Sequence, residues 1–431
     1  MSDQHQARTG CTRPVLTLLA IAFFLVIGIF IWRTYAYRSL EDVIRAKGEP
    51  VTLAELDAWY TPVPEERNAA QFVLLALACF QEPPHDAPIP FLTKFKWDVQ
   101  GAPLPDESKR AVAECLVANK ECLDLIVQAT ALPESRYPFA VSTALTGPLP
   151  HLAGTRQLTR LQLLDVIYKA QTDDMAGAAD SAIRLMRLGE TLKNEPILIS
   201  QLVRLACHSM AFDSIDELLN RGPSTEERLK ALYEQVRALD DPEAMHRAFA
   251  GERCFVMDTS YNYGGGMNDV LMQFFRGSTT RTLTRAVDAS RLPSVDRRNQ
   301  LQQIQQSIPT PGKRGVPFFL NPLASILFPA WTATVEGFDR DAAQLSVAAA
   351  AIAVERYRLA NGKLPDTLDA LVPTYLESVP VDPFDGKPLR YIRNDTGYTV
   401  YSIGIDLKDD QGAEPPKDNA KAGDIVLKVT R

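Results

Sequence analysis

Residues 156–193, RQLTRLQLLDVIYKAQTDDMAGAADSAIRLMRLGETLK, decide the fold class. Leu158, Leu161, Leu164 and Ile167 recur at spacings of three, which puts them on one face of a helix, with Val166 beside them. Thr172-Asp-Asp174 then makes a turn, and Met175–Lys193 carries Ala178, Ala179, Ala182, Ile183, Met186 and Leu188. Small side chains at helical spacing allow two antiparallel helices to approach closely. The stretch predicts a helical hairpin.

The same pattern continues on the C-terminal side. Pro196 opens a third helix to Asn220, and Gly222-Pro223 stops it. Ser224-Thr-Glu-Glu227 caps a fourth helix, and Asp240-Asp-Pro242 starts a fifth. The hairpin is similar to a tetratricopeptide unit without its aromatic and proline marks. Residues 151–258 are therefore expected to form a solenoid-like helical-hairpin stack, an architecture generally used for binding. Upstream, residues 39–131 read as shorter helices. Ser39-Leu-Glu-Asp42 and Thr52-Leu-Ala-Glu55 match capping boxes, and Gly48 is a natural stop. One helix is expected from Asn68 to Phe80, a loop over 85–105, and one helix from Asp106 to Ala131. Downstream, Tyr261–Asn268 (YNYGGGMN) reads as a hinge. Residues 276–314 carry Arg276, Arg281, Arg285, Arg291, Arg297, Arg298, Lys313 and Arg314 against Asp288 and Asp296. That pattern gives residues 259–315 as a loop and basic linker with a solvated arginine face.

Pro14–Trp32 (PVLTLLAIAFFLVIGIFIW) carries no charge. At about 1.5 Å per residue it measures roughly 28 Å, the thickness of a bilayer core. Trp32, Tyr35 and Tyr37 suit an interfacial belt. The expectation is a tail over 1–13 and an uncleaved transmembrane anchor over 14–33, with 14–32 contacting the membrane. Such a chain would be a single-pass signal-anchor protein of a bacterial inner membrane with its body outside the cytoplasm. Val316–Val335 is also uncharged, but Pro317, Pro322 and Pro329 interrupt it. It reads instead as the start of a long helix from Pro322 to Asn361, ended by Gly362 and Pro365.

After Pro380 the period changes from helical to alternating. Leu389–Arg393 and Tyr398–Ile403 flank Asn394-Asp-Thr-Gly397 as a hairpin, and Asp424–Val429 supplies a third strand. A long helix packed on a small antiparallel sheet is the expectation for residues 322–431. The overall fold class is then mainly α, with an N-terminal transmembrane helix, an α-hairpin body and this C-terminal α+β module.

Ala353-Val-Glu-Arg-Tyr-Arg-Leu-Ala-Asn-Gly-Lys-Leu-Pro365, Leu371-Val-Pro373, Val379-Pro-Val-Asp-Pro383, Gly386, Tyr391 and Tyr401-Ser-Ile-Gly404 follow one another in an order that resembles the C-terminal domain of the type II secretion major pseudopilin. The rest more loosely resembles uncharacterised bacterial membrane-anchored helical proteins that carry such a tail. The resemblance implies a calcium ion held by Asp406 and Asp424, with Asp409 and Asp410 as weaker ligands, because a hard cation needs several oxygens. Leu407 and the long loop to Gly423 depart from that pattern, and no prepilin cleavage signature precedes Pro14. A borrowed fold is expected rather than a borrowed polymerisation function.

The chain has 431 residues, with 46 Lys+Arg against 53 Asp+Glu and a net charge of −7. That balance argues against nucleic-acid binding, which needs a clustered positive surface. Among six cysteines none forms a CxxC, and Cys115 and Cys122 fall on one predicted helix too far apart for a disulfide. His151 reads as a helix-start residue, His208 as a core histidine beside Cys207, and Glu355 and Arg356 as surface helix charges unless paired. HExxH, GxSxG and Walker patterns are all missing from the sequence. These readings favour an anchored structural or protein-interaction protein of the envelope without catalytic activity. Two alternatives remain, an accessory component of a type II secretion-like machine and a hydrolase in an interdomain cleft whose small-molecule substrate the sequence does not reveal.

Overall fold

The computed structural model describes residues 12–97, 102–144, 147–222, 224–262, 267–308, 322–413 and 423–430. The hairpin is present: α6 (Pro150–Ala170) and α7 (Met175–Glu190) pack side by side, with Pro150 in the first turn of α6. The Asp174 carboxylate accepts the Gly177 amide at 2.9 Å and caps α7. The next helix, α8 (Leu198–Arg221), lies against both, and α9 (Glu226–Leu239) follows. Thr225, one residue later than Ser224, supplies the α9 cap.

The long helix α13 (Pro322–Asn361) has the predicted bounds, and Gly362 leaves it at φ +69°. It packs on α8 and α9 and not merely on its own sheet. Leu158, Leu185, Ile215, Leu232, Ile352, Tyr398 and Leu427 all belong to one apolar core. The stack and the C-terminal module are thus one packed body, because alanines 348–351 and 353 let α13 sit tightly against its neighbours.

The sheet is three-stranded and antiparallel in the order β1 (Arg390–Asn394), β2 (Gly397–Ser402), β3 (Ile425–Thr430). Its hairpin is tighter than the four-residue connection expected, since Asn394 already pairs with Gly397 and only Asp395-Thr396 turn. The outer edge of β3 is covered by a side chain. Asn220 Nδ2 donates to the Lys428 carbonyl at 2.9 Å and its Oδ1 accepts the Thr430 amide at 3.1 Å. Buried Asp382 fixes the turn before β1 by accepting the Phe384 and Ile403 amides and the Ser402 hydroxyl, and it pairs with Arg390.

Several local expectations are corrected. Residues 106–131 form two helices, α4 (Asp106–Ala118) and α5 (Lys120–Ala131). Buried Asn119 breaks them, its amide nitrogen donating to the Cys115 and Gln81 carbonyls and its oxygen accepting the Gln81 amide. Residues 259–315 are not simply a linker, since they contain all of α11 (Met267–Ala289) and all of α12 (Ser294–Ser307). With α10 (Ala244–Asn262) and α13 these helices build a second core, in which Phe249 stacks on Trp331 at 4.2 Å. Arg297 and Arg298 point inward to Asp339 and not to solvent. Residues 263–266 and 309–321 lie outside the described residues.

The N-terminal expectation is overturned as well. Helix α1 runs from Thr12 to Ala46, straight through the supposed capping box at Ser39. Among the described residues no helix is long and apolar enough to cross a membrane. The transmembrane anchor over 14–33, the signal-anchor and single-pass reading, and the inner-membrane location are therefore withdrawn. The apolar run is the first part of a longer helix whose charged second half returns to the body. There Ile44 packs with Val51 and Met257, and Lys47 pairs with Asp288 at 2.6 Å. Tail residues 1–11 lie outside the described residues.

At Thr52 the capping box is real: its hydroxyl accepts the Glu55 amide at 3.2 Å, and Glu55 accepts the Thr52 and Val51 amides. This box starts α2 (Leu53–Trp59). Thr52→Ala is expected to lower unfolding free energy by about 1 kcal/mol, measured as a shift in denaturant midpoint without a change in slope.

Candidate binding cleft

Arg204 and His208 are four residues apart on α8, so they share one face of the helix. That face meets α7 on one side and α13 on the other. The Arg204 guanidinium grips Glu190 through two nitrogens, at 2.6 and 3.1 Å, and donates to the Leu239 carbonyl at 3.0 Å. The His208 ring lies between two carboxylates. Its Nε2 is 3.0 Å from Glu190, and its Nδ1 is 3.0 and 3.1 Å from the two oxygens of Asp341. Carboxylates only accept, so both ring nitrogens carry protons and the ring is an imidazolium.

Arg204 and His208 are each 1% exposed. Burial disfavours charge on His208, but Asp341 and then Glu190 outweigh burial and the opposing Arg204, raising its pKa above the ordinary value. Burial likewise pushes Glu190 up, while the hydrogen bond from His208 and the charge of Arg204 prevail and hold it at about 2. Charge here is expensive to bury and is compensated because Glu190, Arg204 and His208 each have two or more partners.

Two members of this network, Arg204 and Asp341, line a cleft of about 370 Å³, where α8, the α9–α10 turn, the α11–α12 turn and α13 meet. Arg204 and Asp341 face the cleft from inside, and Asp241, Arg291 and Arg297 stand around it with Met245, Phe338 and Leu345. Asp241 pairs with Arg247 at 2.5 Å, and Arg291 pairs with Glu243 at 2.7 Å. The hydroxyls in the cleft are already committed: Ser290 donates to the Val287 carbonyl at 2.6 Å, and Ser294 accepts from Arg297 at 2.9 Å. Arg297 Nε is buried without an acceptor. The arrangement offers both charge signs and apolar walls at fixed positions, which suits recognition.

Other residues singled out by sequence also find partners. His151, stacked on Tyr137 at 4.3 Å and Phe139 at 5.2 Å, bonds Glu195 at 3.0 Å, and Ser200 donates to the other oxygen of that carboxylate. Because Ser200 faces Glu195 and not the imidazole, these three do not form a nucleophile–base pair. Glu355 and Arg356 are buried and meet the exception to the surface reading, pairing with Arg358 and Glu226 respectively. Cys79, Cys115, Cys122, Cys207 and Cys254 are free thiols.

The carboxylates tied to calcium gather only in part. Asp424 lies near Asp409 and Asp410, and its own oxygens accept the Asp410 and Gly412 amides at 3.4 and 2.7 Å. Burial raises its pKa against those two hydrogen bonds. Asp409 accepts the Tyr401 hydroxyl, whereas Asp406 accepts the Lys408 amide. Among the described residues no group of three or more His, Cys, Asp or Glu could hold a metal ion. Asp424 thus closes its loop with backbone donors, and Asp406 caps the Lys408 amide. Residues 414–422 lie outside the described residues.

Glu190, Arg204 and Asp341 were not picked out by sequence reading. The signal was nonetheless present, in a basic residue and a histidine four apart on an otherwise apolar helix, LISQLVRLACHSMAF. Comparison with family models, with curated proteins and with solved structures finds no match to this chain.

Proposed function

We propose that the chain is a protein-interaction scaffold whose partner docks over the cleft between α8, the α11–α12 turn and α13. The observation that supports this reading is the buried chain Glu190–Arg204/His208–Asp341. An apolar layer would join three helices at lower cost, whereas this one holds buried charge under a concave surface, with Arg204 and Asp341 in its lining and Arg291 on its rim. Its hydroxyls and carboxylates are held by structural bonds, so the cleft orients a bound group and has no side chain poised to attack it.

The test places a photo-crosslinking residue at Leu292, on the cleft rim and 39% exposed, or at Val117, remote and 76% exposed. A discrete partner adduct is expected from Leu292, absent from Val117, and lost when Arg291→Glu is added. Equal adducts at both sites, or a Leu292 adduct indifferent to Arg291→Glu, would overturn the reading.

A further inference from the structure

A second concave surface lies well apart in sequence from the cleft, in the segment that joins α3 (Ala70–Cys79) to α4. Within residues 90–97, PFLTKFKW, every residue but Leu92 lines a hollow of about 1010 Å³. The segment is well defined by its own bonds. The Thr93 hydroxyl donates to the Ala87 and Ile89 carbonyls at 2.8 and 2.7 Å and accepts the Phe95 amide at 3.2 Å. Ile89 is buried, and Phe91, Leu92 and Trp97 pack against the main core. Phe95 takes no part in that packing although it is half-buried.

Three features of this segment are unexplained by folding alone. Phe91 is held at φ +65°, a left-handed conformation that a bulky side chain rarely adopts. The Trp97 indole N–H is buried without an acceptor, which leaves its desolvation uncompensated. Lys94 and Lys96 are exposed on either side of Phe95, and no acidic residue lines the hollow among the described residues. An incoming group that supplies negative charge and a hydrogen-bond acceptor would answer the second and third, and apolar surface on it would pack on Phe95.

We infer that this hollow docks an acidic peptide segment of a partner protein, with Phe95 packing on its apolar side chain, Lys94 and Lys96 pairing with its carboxylates, and Trp97 donating to it. A peptide is favoured over an anionic membrane because the aromatics line a concavity, whereas a lipid surface receives side chains from a projecting loop. Two lysines in a chain of net charge −7 also fall far short of a phosphate-backbone footprint. The surface is separate from the cleft, so either site can fail without the other.

The experiment uses the full chain labelled with ¹⁵N-tryptophan and the blocked peptide acetyl-EELFEE-amide as probe. Its controls are acetyl-KKLFKK-amide and vesicles containing phosphatidylserine. The Trp97 indole resonance, assigned with Trp97→Phe, is expected to shift saturably with the acidic peptide alone. Added salt should weaken binding. Lys94→Glu with Lys96→Glu should weaken it at least tenfold, and Phe95→Ala should do so without changing Tm. A stationary Trp97 resonance, equal binding of the lysine peptide, or binding to vesicles in place of the peptide would each overturn the inference.

Discussion

Arg204→Met is expected to cost about 3–5 kcal/mol of unfolding free energy, seen as a large fall in denaturant midpoint, because it leaves Glu190 buried with its bidentate partner gone. The pH profile should change as well. In the native protein Glu190 lies at about 2, below its ordinary 4.5. A depressed carboxylate contributes stability that is complete above about pH 4.5 and is lost as pH falls toward 2. His208 works in the opposite sense: with its pKa raised above 6.5, its contribution is complete below that value and is lost as pH rises through the folded value. The network is thus strongest between roughly pH 4.5 and 6.5. In Arg204→Met the acid limb should move to higher pH, and His208→Asn should remove the alkaline limb. If Arg204→Met unfolds at the native midpoint with an unshifted acid limb, the ionic chain contributes nothing and its assignment to the cleft falls.

That network also marks where sequence reading ran out. His208 and Asp341 are separated by 133 positions, and nothing local in either segment announces the other. Periodicity reports which face of a helix is apolar; it does not report which helix will meet a charge placed on that face. Arg297 and Arg298 were misread for the same reason. A run of arginines with few acids looks solvated until α13 brings Asp339 against it. Asn119 splits α4 from α5 because it satisfies the Gln81 backbone 38 residues away, again a non-local bond. By contrast, α13 and the sheet were legible. Pro322, Gly362 and the alternating strands act within a few residues, and backbone sterics and pleat geometry fix the outcome locally. The hairpin at 156–193 was legible too, but its partner α13 was not, and so the two expected modules proved to share one core.

Gly251→Ala tests whether that packed body holds α10 rigidly against the entrance to α8. A β-carbon at Gly251 would stand 1.8 Å from the Pro196 carbonyl oxygen and 2.9 Å from its carbon. Both are backbone atoms, in a buried turn where Glu195 is locked by His151 and Ser200. No side chain can swing aside, so α10 must move as a unit. Moving it loosens Arg247 from the Lys193 carbonyl, where they sit at 3.2 Å, and Arg253 from Glu49, at 2.9 Å. It also disturbs the Phe249–Trp331 stack. A cost of about 3 kcal/mol or more is expected, at the upper end for overpacking because backbone meets backbone. Gly337→Ala on α13 is the control of opposite sign. Its β-carbon would meet only Leu205 Cδ1 at 3.7 Å, an ordinary contact, and removing a glycine from a helix interior should add about 0.5–1 kcal/mol. Paired melting curves separate the two cases. If Gly251→Ala melts as high as Gly337→Ala, α10 is free to shift, and the cleft it borders cannot be the rigid recognition surface described above.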